Sequence, residues 1–432
     1  MTSNLPDSSP TVCVIGVGFV GLTLSVTLCA YGMKVLGWEK NNTVRADLAA
    51  GRTAILEPGL QESLRLHTQA GNFTAINSFQ EARAASIFIV TVGTPLKNSS
   101  IDLNQIENAL LQIAPALDDD DLVIIRSTTA VGTCAELILP LLQKTGKKVF
   151  LAMCPERTVE GKALDEMTSL PQIIGSDTEA GFLAAARLFS AIGTEIVRVK
   201  NLESAELTKL LNNTYRDLMF AFANEIAEIA LEYDINATEI IQAANHNYAR
   251  SNIALPGLSG GPCLEKDPLI LVQSGLRKGL GMEISASSRL VNERVLIKFL
   301  SRVLSDKNPP VKIALLGLAF KGNPPTLDLR GSPVFSSLAY LRERYPKAEI
   351  MGFEPAGKTD LEDTLLVTSG TLEETILKAD LIILLTNSRT FDSIPEIARE
   401  YASRQCLIVD YWGRNFRESF LPSQSYVSWA GA

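Results

Sequence analysis

The chain has 432 residues, which is too many for one ordinary hydrophobic core and about right for two or three domains. Hydrophobic residues make up 46% of it and charged residues 20%, proportions typical of a soluble globular protein. The net charge of -8 argues against nucleic acid and anionic membrane surfaces as partners, because both bind a basic face, but it allows a phosphorylated ligand in a locally positive pocket.

The cysteines and histidines bear on compartment and metal binding. The six cysteines lack the paired spacing of a zinc site and lie mostly in apolar stretches, a pattern typical of the reducing cytosol. The two histidines, His67 and His246, are too few for most metal sites. Met1–Pro10 has no signal pattern, and no run of about 18 apolar residues exists. We expect a cytoplasmic protein with no bound metal and no membrane span.

Strand and helix patterns alternate in the first part of the chain. Thr11–Gly16 is a β-branched run that predicts a buried strand, and the spacing of apolar residues from Val20 to Tyr31 predicts the helix after it. Further strands are predicted at Lys34–Trp38, Ser86–Val92 and Leu122–Ser127. Such alternation implies a parallel sheet with right-handed crossovers.

The middle of the chain has a different pattern. Apolar residues recur at helical spacing almost throughout Glu203–Asn245, and a helix of this length commonly links two domains or forms a subunit interface. After a boundary at Lys307–Pro310 the strand–turn–helix pattern restarts at Val311. Later strands are predicted at Glu349–Phe353, Leu381–Thr386 and Cys406–Asp410. The C-terminal third therefore predicts a second α/β sheet.

A dinucleotide motif follows the first predicted strand and opens the first predicted helix: Gly16-Val17-Gly18-Phe19-Val20-Gly21. Its glycines permit a tight turn, the approach of a pyrophosphate and close helix–strand packing, while the helix N-terminus faces the phosphates. Glu39, at the end of the second strand, suits a ribose hydroxyl and favours NAD over NADP, although Lys40 and Arg45 lie nearby. A purely structural glycine turn is the alternative.

Two more loops follow predicted strands, and a third follows an apolar run. Gly93-Thr94-Pro95 and Ser127-Thr128 lie at carboxyl ends of strands, where ligands bind in open parallel sheets. Either loop alone could be a turn, but a shared edge favours a ligand site. Pro155–Gly161 follows an apolar run, and its Glu156 and Glu160 are four residues apart. They could perform acid–base chemistry or simply begin a solvated helix.

The segment with the most chemistry is Gly260-Gly261-Pro262-Cys263-Leu264-Glu265-Lys266-Asp267. Two glycines allow a close approach to a ligand, and a thiol follows. If a helix starts at Cys263, Lys266 and Asp267 share its face, and both the cation and the helix N-terminus favour the thiolate. A buried structural cysteine beside a turn is the alternative.

Two other sets of polar residues are candidates. Lys209 and Asn213 share a face of the long helix, where they could stabilise an alkoxide and hold a water, or could form a polar stripe. Near the start of the C-terminal lobe, Lys321 and Arg330 are cations that suit a diphosphate or a cofactor. A surface loop would carry the same residues.

Taken together and in order, these motifs resemble those of the UDP-glucose/GDP-mannose dehydrogenase family. The matching segments are GVGFVG, GTP, ST, PER with a glutamate four residues on, the helix lysine and asparagine, GGPCLEKD, and FKG with the later Arg330. The resemblance covers nearly the whole chain. It implies an α/β fold of two Rossmann-like, doubly wound parallel-sheet domains joined by a long central helix that also forms a dimer.

The resemblance also implies a domain division and a reaction. Residues 1–202 would bind NAD, residues 203–306 would supply the dimerisation helix and the cysteine loop, and residues 307–432 would bind the UDP-sugar. The family oxidises a sugar C6 alcohol to a carboxylate with two NAD, and it supplies polysaccharide precursors. The thiol adds to an aldehyde, and a thiohemiacetal then becomes a thioester that water hydrolyses.

Catalytic roles follow from the resemblance position by position. Cys263 would be the nucleophile and Lys209 would bind the C6 oxygen. Asn213 and Asp267 would hold the catalytic water, and Glu156 would belong to the acid–base and substrate loop. Thr128 is the last catalytic candidate.

Ligand contacts follow in the same way. Glu160 and Thr128 would line the nicotinamide, and the other cofactor-binding candidates are Gly16, Gly18, Phe19, Val20, Gly21, Glu39, Lys40, Arg45, Gly93, Thr94, Lys266 and Arg330. The loop from Asn252 to Gly260 would wrap the substrate. The substrate-binding candidates are Glu156, Arg157, Thr158, Lys209, Asn213, Arg250, Asn252, Gly257, Gly260 and Lys321, with Arg250 a residue that a dimer partner could donate.

Two of the motifs favour different substrates. Pro155-Glu156-Arg157 resembles members that act on UDP-N-acetylhexosamines, either UDP-ManNAc or UDP-GlcNAc, and this is the activity we expect. The Lys266–Asp267 pair resembles UDP-glucose members, so a UDP-glucose 6-dehydrogenase is the alternative enzyme. A simple hydroxyacid dehydrogenase would need neither the thiol nor the second lobe. A non-catalytic NAD- and nucleotide-sugar-binding protein is the alternative of another class, and the intact Cys263 argues against it.

Overall fold

The computed structural model of the protein describes residues 10–98, 100–359, 361, 367, 368, 370–414, 416 and 419–431. The segment Met1–Pro10, predicted to lack a signal, therefore lies outside the described residues except for Pro10. The chain divides into two compact units, one of Met1–Asn212 with Gln273–Leu280 and one of Asn213–Val272 with Gly281–Ala432. No helix in the described ranges is both long and apolar enough to span a bilayer.

The first unit contains an eight-stranded sheet. The ten strands described in this unit are β1 Thr11–Ile15, β2 Lys34–Trp38, β3 Phe73–Ala75, β4 Ile87–Val90, β5 Leu96–Lys97, β6 Ser100–Ile101, β7 Leu122–Ile125, β8 Phe150–Met153, β9 Gln172–Ser176 and β10 Ile196–Arg198. The sheet order is β10-β9-β8-β7-β4-β1-β2-β3, and β5 pairs with β6 separately. All neighbours in the large sheet are parallel except β8 and β9, which the alternation of strands and helices did not predict.

Helices cover both faces of this sheet. They are α1 Phe19–Ala30, α2 Asn42–Ala49, α3 Leu60–Gln69, α4 Asn104–Ile113, α5 Leu139–Gln143, α6 Ala163–Ser169 and α7 Glu179–Ala191, and a short π-helix, Cys134–Ile138, leads into α5. Successive residues of a strand point to opposite faces, so Val12 and Val14 belong to one hydrophobic core while Cys13 and Ile15 belong to another. This is why the strands are continuous apolar runs in the sequence.

The long helix α8, Leu202–Glu232, contributes residues to both units. The next helix, α9, covers Ala237–Asn245, so the helical region predicted without a break is interrupted. Asp234 lies there with a left-handed φ of 54°, and the Asn236 side chain caps α9 by accepting from the Glu239 N–H at 3.0 Å. The prediction missed this break because neither glycine nor proline marks it.

The second unit contains a six-stranded parallel sheet. Its helices are α10 Gly261–Leu264, α11 Asp267–Leu276 (which ends within the first unit), α12 Glu283–Leu304, α13 Pro333–Arg344, α14 Leu372–Ile376 and α15 Ile394–Tyr401. Its strands are β11 Lys312–Leu316, β12 Glu349–Phe353, β13 Val367–Thr368, β14 Leu381–Leu384, β15 Leu407–Asp410 and β16 Ser425–Ser428, in the order β13-β12-β11-β14-β15-β16. The predicted second α/β lobe is confirmed.

Candidate active site

The glycine motif forms the predicted turn between β1 and α1. Gly16 has φ of 91°, and a Cβ on Gly21 would lie 2.2 Å from the Gly16 carbonyl oxygen, so both positions require glycine. Apart from its neighbours along the chain, no heavy atom of the described residues lies within 4 Å of a Cβ placed on Gly18, which leaves room for a ligand. Helix α1 begins at Phe19, followed by Val20, without a side-chain cap on its N–H groups. These features suit a pyrophosphate.

The acidic residue Glu39 lies directly after β2, beside the strand that leads into the glycine motif. Glu39 follows β2, which pairs with β1, and its carboxylate accepts from the Asn41 N–H at 3.1 Å. The two nearby cations have partners inside the protein. Arg45 donates to the Glu39 backbone carbonyl at 2.5 Å, and Lys40 donates to Gln105 at 3.3 Å. The arrangement fits the unphosphorylated ribose of NAD.

The loops after β4 and β7 lie together at one edge of the sheet. Thr94, which follows Gly93 in the first loop, donates its hydroxyl to the Thr128 carbonyl at 2.7 Å. Ser127 in the second loop donates to the Val92 carbonyl at 2.7 Å. The expectation that these two loops share an edge is confirmed.

A buried glutamate that the sequence analysis missed supports the loop after Thr128. Glu206 on α8 accepts from the backbone N–H groups of Gly132 at 2.6 Å and Cys134 at 2.7 Å, and from the Thr129 hydroxyl at 3.2 Å. Burial raises the pKa of Glu206. One turn further along α8 lies Lys209, so Glu206 connects the Thr128 loop to the helix that carries this lysine.

Glu156 lies in an irregular loop, and its carboxylate is fully engaged. Arg126 donates from Nε to Glu156 at 3.0 Å and forms a second hydrogen bond to it from Nη2, while both side chains are buried. The other Glu156 oxygen accepts from the N–H groups of Arg157 at 2.6 Å and Thr158 at 2.7 Å. The Arg157 guanidinium donates to the Pro171 carbonyl. Neither Glu156 nor Glu160 begins a helix, because α6 starts only at Ala163.

Electrostatics keeps Glu156 ionised. Burial by itself raises the pKa of Glu156, but the Arg126 guanidinium, the Thr158 N–H and the Lys209 ammonium lower it below its ordinary value of 4.5. A carboxylate of this kind is a weak base. Proton transfer at Glu156 stays a prediction that this environment does not favour.

The loop that contains Glu160 is held by another glutamate that the sequence did not single out. Glu57 is buried and accepts from the Gly161 N–H at 2.5 Å and the Ala163 N–H at 2.7 Å. It thereby caps the first turn of α6 from a distant part of the chain. Glu160 is half-buried in the same loop.

The predicted water-holding pair is in contact. Asn213 on α8 donates its amide to the Asp267 carboxylate at 2.6 Å, and both side chains are buried. Lys266 forms an ion pair with Asp267 at 3.3 Å. Lys209 lies one helical turn before Asn213 on α8. Asp267 thus has two partners, one on its own loop and one on the long helix.

Cys263 is exposed, whereas the other five cysteines are buried. Burial raises the pKa of Cys13, Cys29, Cys154 and Cys406 to about 12, which makes those thiols poor nucleophiles. The condition that a helix starts at the cysteine is not met: α10 covers only Gly261–Leu264, and a new helix begins at Asp267.

The two glycines before Cys263 pack against another segment of the same unit. A Cβ on Gly260 would lie 2.4 Å from the Gly331 carbonyl oxygen, and one on Gly261 would lie 2.5 Å from the Phe320 ring. The Gly261 N–H donates to the Gly331 carbonyl at 3.0 Å. The two glycines were predicted to allow a close approach to a ligand. In the structure they allow a close approach to the segments that contain Lys321 and Arg330.

Those two cations lie on a loop between β11 and α13. The Phe320 N–H donates to the Asp328 carbonyl at 3.1 Å, and Lys321 lies beside the Phe320 ring at 5.4 Å. Arg330 forms an ion pair with Asp328, with its Nε 2.9 Å from one carboxylate oxygen. The loop brings the cysteine segment and the two cations together within one unit.

The loop from Asn252 to Gly260 is anchored at Gly257. The Asn224 side chain on α8 accepts from the Gly257 N–H at 3.0 Å and donates to its carbonyl at 3.0 Å. A Cβ on Gly257 would lie 2.7 Å from the Trp412 ring, so glycine is required. Arg250 and Asn252 are exposed, and the Arg250 guanidinium lies 4.9 Å from the Tyr248 ring centre.

Comparison with known proteins gives matches along nearly the whole chain. Three family models match successive segments: the UDP-glucose/GDP-mannose dehydrogenase family NAD binding domain at residues 10–193, its central domain at residues 203–294 and its UDP binding domain at residues 314–416. The chain is 30% identical to the UDP-N-acetyl-D-mannosamine dehydrogenase of Pyrococcus horikoshii, over 94% of this chain and 95% of the relative.

Solved structures give the same picture. The UDP-D-ManNAc dehydrogenase from Pyrococcus horikoshii has a TM-score of 0.87 and 28% identity, covering 98% of this chain and 99% of that one. A UDP-glucose dehydrogenase from Pyrobaculum islandicum has a TM-score of 0.86 and 25% identity, covering all of both chains.

Proposed function

This chain belongs to the UDP-glucose/GDP-mannose dehydrogenase family, and we propose that it oxidises the C6 alcohol of a UDP-N-acetylhexosamine to the carboxylate. The observation that carries the proposal is the exposure of Cys263 alone among the six cysteines, on a loop packed against the Lys321 and Arg330 segments. UDP-ManNAc is the first choice of sugar, since similar chains bear the name UDP-N-acetyl-D-mannosamine dehydrogenase. The sequence Pro155-Glu156-Arg157 supports the same class.

The chain is an NAD-dependent dehydrogenase, and its first unit fits the cofactor. Bound NAD supplies the hydride acceptor for each of the two oxidations. The space at Gly18 and the N–H groups at the start of α1 would hold the pyrophosphate, and Glu39 would bind a ribose hydroxyl. The assignments of Thr128, Glu160, Lys266 and Arg330 to the cofactor are part of this proposal.

The proposed chemistry runs through Cys263. The first oxidation removes a hydride from C6 and a proton from its hydroxyl, which gives an aldehyde. The Cys263 thiolate adds to the aldehyde carbon, and loss of a second hydride converts the thiohemiacetal to a thioester. A water held by Asn213 and Asp267 attacks that carbon and breaks the C–S bond, which regenerates the thiol. Lys209 stabilises the developing oxyanion.

Glu156 has an organising role in this proposal. Its ionised carboxylate holds the Arg157 and Thr158 N–H groups and lies within electrostatic range of the Lys209 ammonium. Arg126 supplies the opposite charge that makes a buried carboxylate tolerable. The division into residues 1–202, 203–306 and 307–432, and the substrate contacts of Arg250, Asn252, Gly260 and Lys321, are also parts of the proposal.

A cytoplasmic homodimer completes the proposal. Apolar side chains on α8 are exposed at a spacing of two helical turns, namely those of Tyr215, Phe222 and Ile229. Such a stripe fits a second copy of the same helix. The six cysteines, none of them in a disulfide, support a reducing compartment. A monomeric mass by light scattering would contradict the dimer.

A panel of nucleotide sugars tests the proposed function. UDP-ManNAc, UDP-GlcNAc, UDP-glucose and GDP-mannose are each incubated with NAD, and the NADH formed per sugar consumed is measured. We expect two NADH per UDP-N-acetylhexosamine. A preference for UDP-glucose would support the second candidate, a UDP-glucose 6-dehydrogenase, which the Lys266–Asp267 pair and the Pyrobaculum islandicum structure favour. One NADH would indicate a two-electron dehydrogenase, and binding without NADH a non-catalytic protein.

A further inference from the structure

Four buried polar residues in the second unit have no role in the proposed chemistry. Asp217 and Asn224 lie on α8, and Arg289 and Asn292 lie on α12. Their exposed fractions are 0% for Asp217, 1% for Asn224, 3% for Arg289 and 5% for Asn292. We call these four residues the α8–α12 network. Polar groups buried this deeply persist only where each has a defined partner.

One end of the network holds the cysteine loop. Arg289 donates from Nη1 to the Asp217 carboxylate at 2.6 Å and to the Leu264 carbonyl at 3.1 Å. Leu264 follows Cys263 and is the last residue of α10, so its carbonyl has no continuing helix to bond. The Arg289 guanidinium therefore joins the residue beside the thiol to helix α8.

The other end holds the loop from Asn252 to Gly260. Asn292 donates to the Asp217 backbone carbonyl at 2.8 Å and to its carboxylate at 2.9 Å. Asn224 donates to the side-chain oxygen Oδ1 of Asn292 at 3.0 Å and makes two hydrogen bonds to Gly257. The hydrogen bonds thus run without a gap from Gly257 to Leu264.

We propose that the α8–α12 network positions the cysteine loop and the Gly257 loop together against α8, so that Cys263 is held in a single orientation relative to Asn213. Asn213 lies one turn before Asp217 on the same helix. Apolar side chains could pack α12 on α8 as tightly, but only directional hydrogen bonds define where a loop backbone lies. The four residues are positioning residues, and their effect on catalysis rests on the proposed function.

Hydrogen exchange tests the positioning without any substrate. In Arg289→Met we expect the backbone amides of residues 257–261 and 263–266 to exchange about tenfold faster, since the variant removes the charged partner of the Leu264 carbonyl and of Asp217, through which the network reaches Gly257. The matched control is Lys298→Met, which removes the ion pair with Glu228 that also joins α12 to α8 but lies at the surface. Exchange in this control should match the unaltered protein. Unchanged exchange in Arg289→Met would overturn the proposal.

Two further variants protect the test from simple unfolding. Arg289→Met leaves Asp217 as an unpaired buried charge, so the double variant Asp217→Leu with Arg289→Met removes both charges and should fold. It still lacks the hydrogen bond to Leu264, and we expect the same faster exchange. Asn292 makes no hydrogen bond to either loop, but Asn292→Leu interrupts the network between them. We expect faster amide exchange in residues 261–266 as well as at Gly257. A change confined to one loop would overturn the idea of a joint support.

The ratio of products tests the catalytic consequence. A loosely held thiol captures less of the aldehyde. The double variant should therefore form between one and two NADH per sugar and release aldehyde, which a hydroxylamine trap detects. We expect its kcat to be lower by about 100-fold. A variant that is only less stable would keep two NADH per sugar, and this result would overturn the proposal. If exchange is faster in the variants but the unaltered protein forms no NADH from any of the sugars, the proposed function alone would be refuted.

Discussion

The candidate loops of the two units are held by opposite kinds of side chain. In the first unit, the buried carboxylates of Glu57, Glu156 and Glu206 each accept from two backbone N–H groups of a loop. In the second unit, the buried guanidinium of Arg289 donates to the Leu264 carbonyl beside Cys263. The difference follows from which backbone groups lack a partner.

The start of a helix leaves N–H groups unbonded, and the end of a helix leaves carbonyl groups unbonded. Glu57 and Glu206 bind the starts of α6 and of the π-helix at Cys134, whereas Arg289 binds the end of α10. A buried charge near a ligand loop is therefore first a support for backbone. Three glutamates in or near the candidate loops bind backbone N–H groups, and Cys263 is the exposed cysteine.

The strongest test of this contrast removes the thiol. Cys263→Ala should lower carboxylate formation by about 10,000-fold or more while leaving the first oxidation measurable, because only the covalent step is lost. Products are measured by mass spectrometry after incubation with NAD and the preferred sugar. Cys29→Ala is the control, since it removes a buried thiol and should retain carboxylate formation. Full carboxylate production by Cys263→Ala would refute the assignment of Cys263 as the nucleophile.

The next test concerns the carboxylate-held loops. Arg126→Met leaves the buried Glu156 without its counter-charge, so we expect the free energy of unfolding to fall by about 3–5 kcal/mol. Chemical denaturation followed by circular dichroism measures it. Arg198→Met is the control, because its ion pair with Glu179 is exposed and contributes little. Equal effects of the two substitutions would show that Glu156 is not a buried support.

The smallest expected effect is a pH dependence of opposite sign at two glutamates. The pKa of Glu156 is below 4.5 in the folded protein. The stabilising contribution of its carboxylate is therefore present above pH 4.5 and is lost as the pH falls through the pKa of the folded state. Burial raises the pKa of Glu206 above 4.5. The contribution of this carboxyl group to stability is therefore present below pH 4.5 and falls as the pH rises through the pKa of the folded state.

Denaturation at a series of pH values, with Glu156→Gln and Glu206→Gln, measures these contributions. The stability difference between the unaltered protein and Glu156→Gln should shrink on acidification, whereas the difference for Glu206→Gln should grow. Glutamine does not titrate, so each difference reports one carboxyl group. Parallel slopes for the two variants would contradict the roles assigned to these glutamates.

Much of the architecture and part of the site follow from the amino-acid sequence. Strands such as Lys34–Trp38 and Glu349–Phe353 agree residue for residue with the prediction, because a short run of apolar residues marks a strand within the sequence itself. The glycine motif has the predicted turn, because the crowding at Gly16 and Gly21 is local. The contact between Asn213 and Asp267 is also present where the family resemblance implied it.

Other features depend on residues far apart in the chain, and the sequence analysis missed them. Glu57, Arg126, Glu206 and Arg289 are ordinary charged residues in the sequence, since nothing local tells which partner a charge will meet. The glycines before Cys263 were expected to face a ligand, yet they pack on Gly331 and Phe320, about 60 to 70 residues further along. The antiparallel contact of β8 and β9 likewise depends on a chain reversal that alternation does not encode.

By itself the sequence determined the class of fold and the order of most strands and helices, because periodicity and glycine turns act over a few residues. Only the tertiary structure decided which charges support a backbone and which thiol stays exposed. Burial and hydrogen-bond partners come from packing distant segments together, and that packing is what changes a carboxylate from a proton carrier into a support.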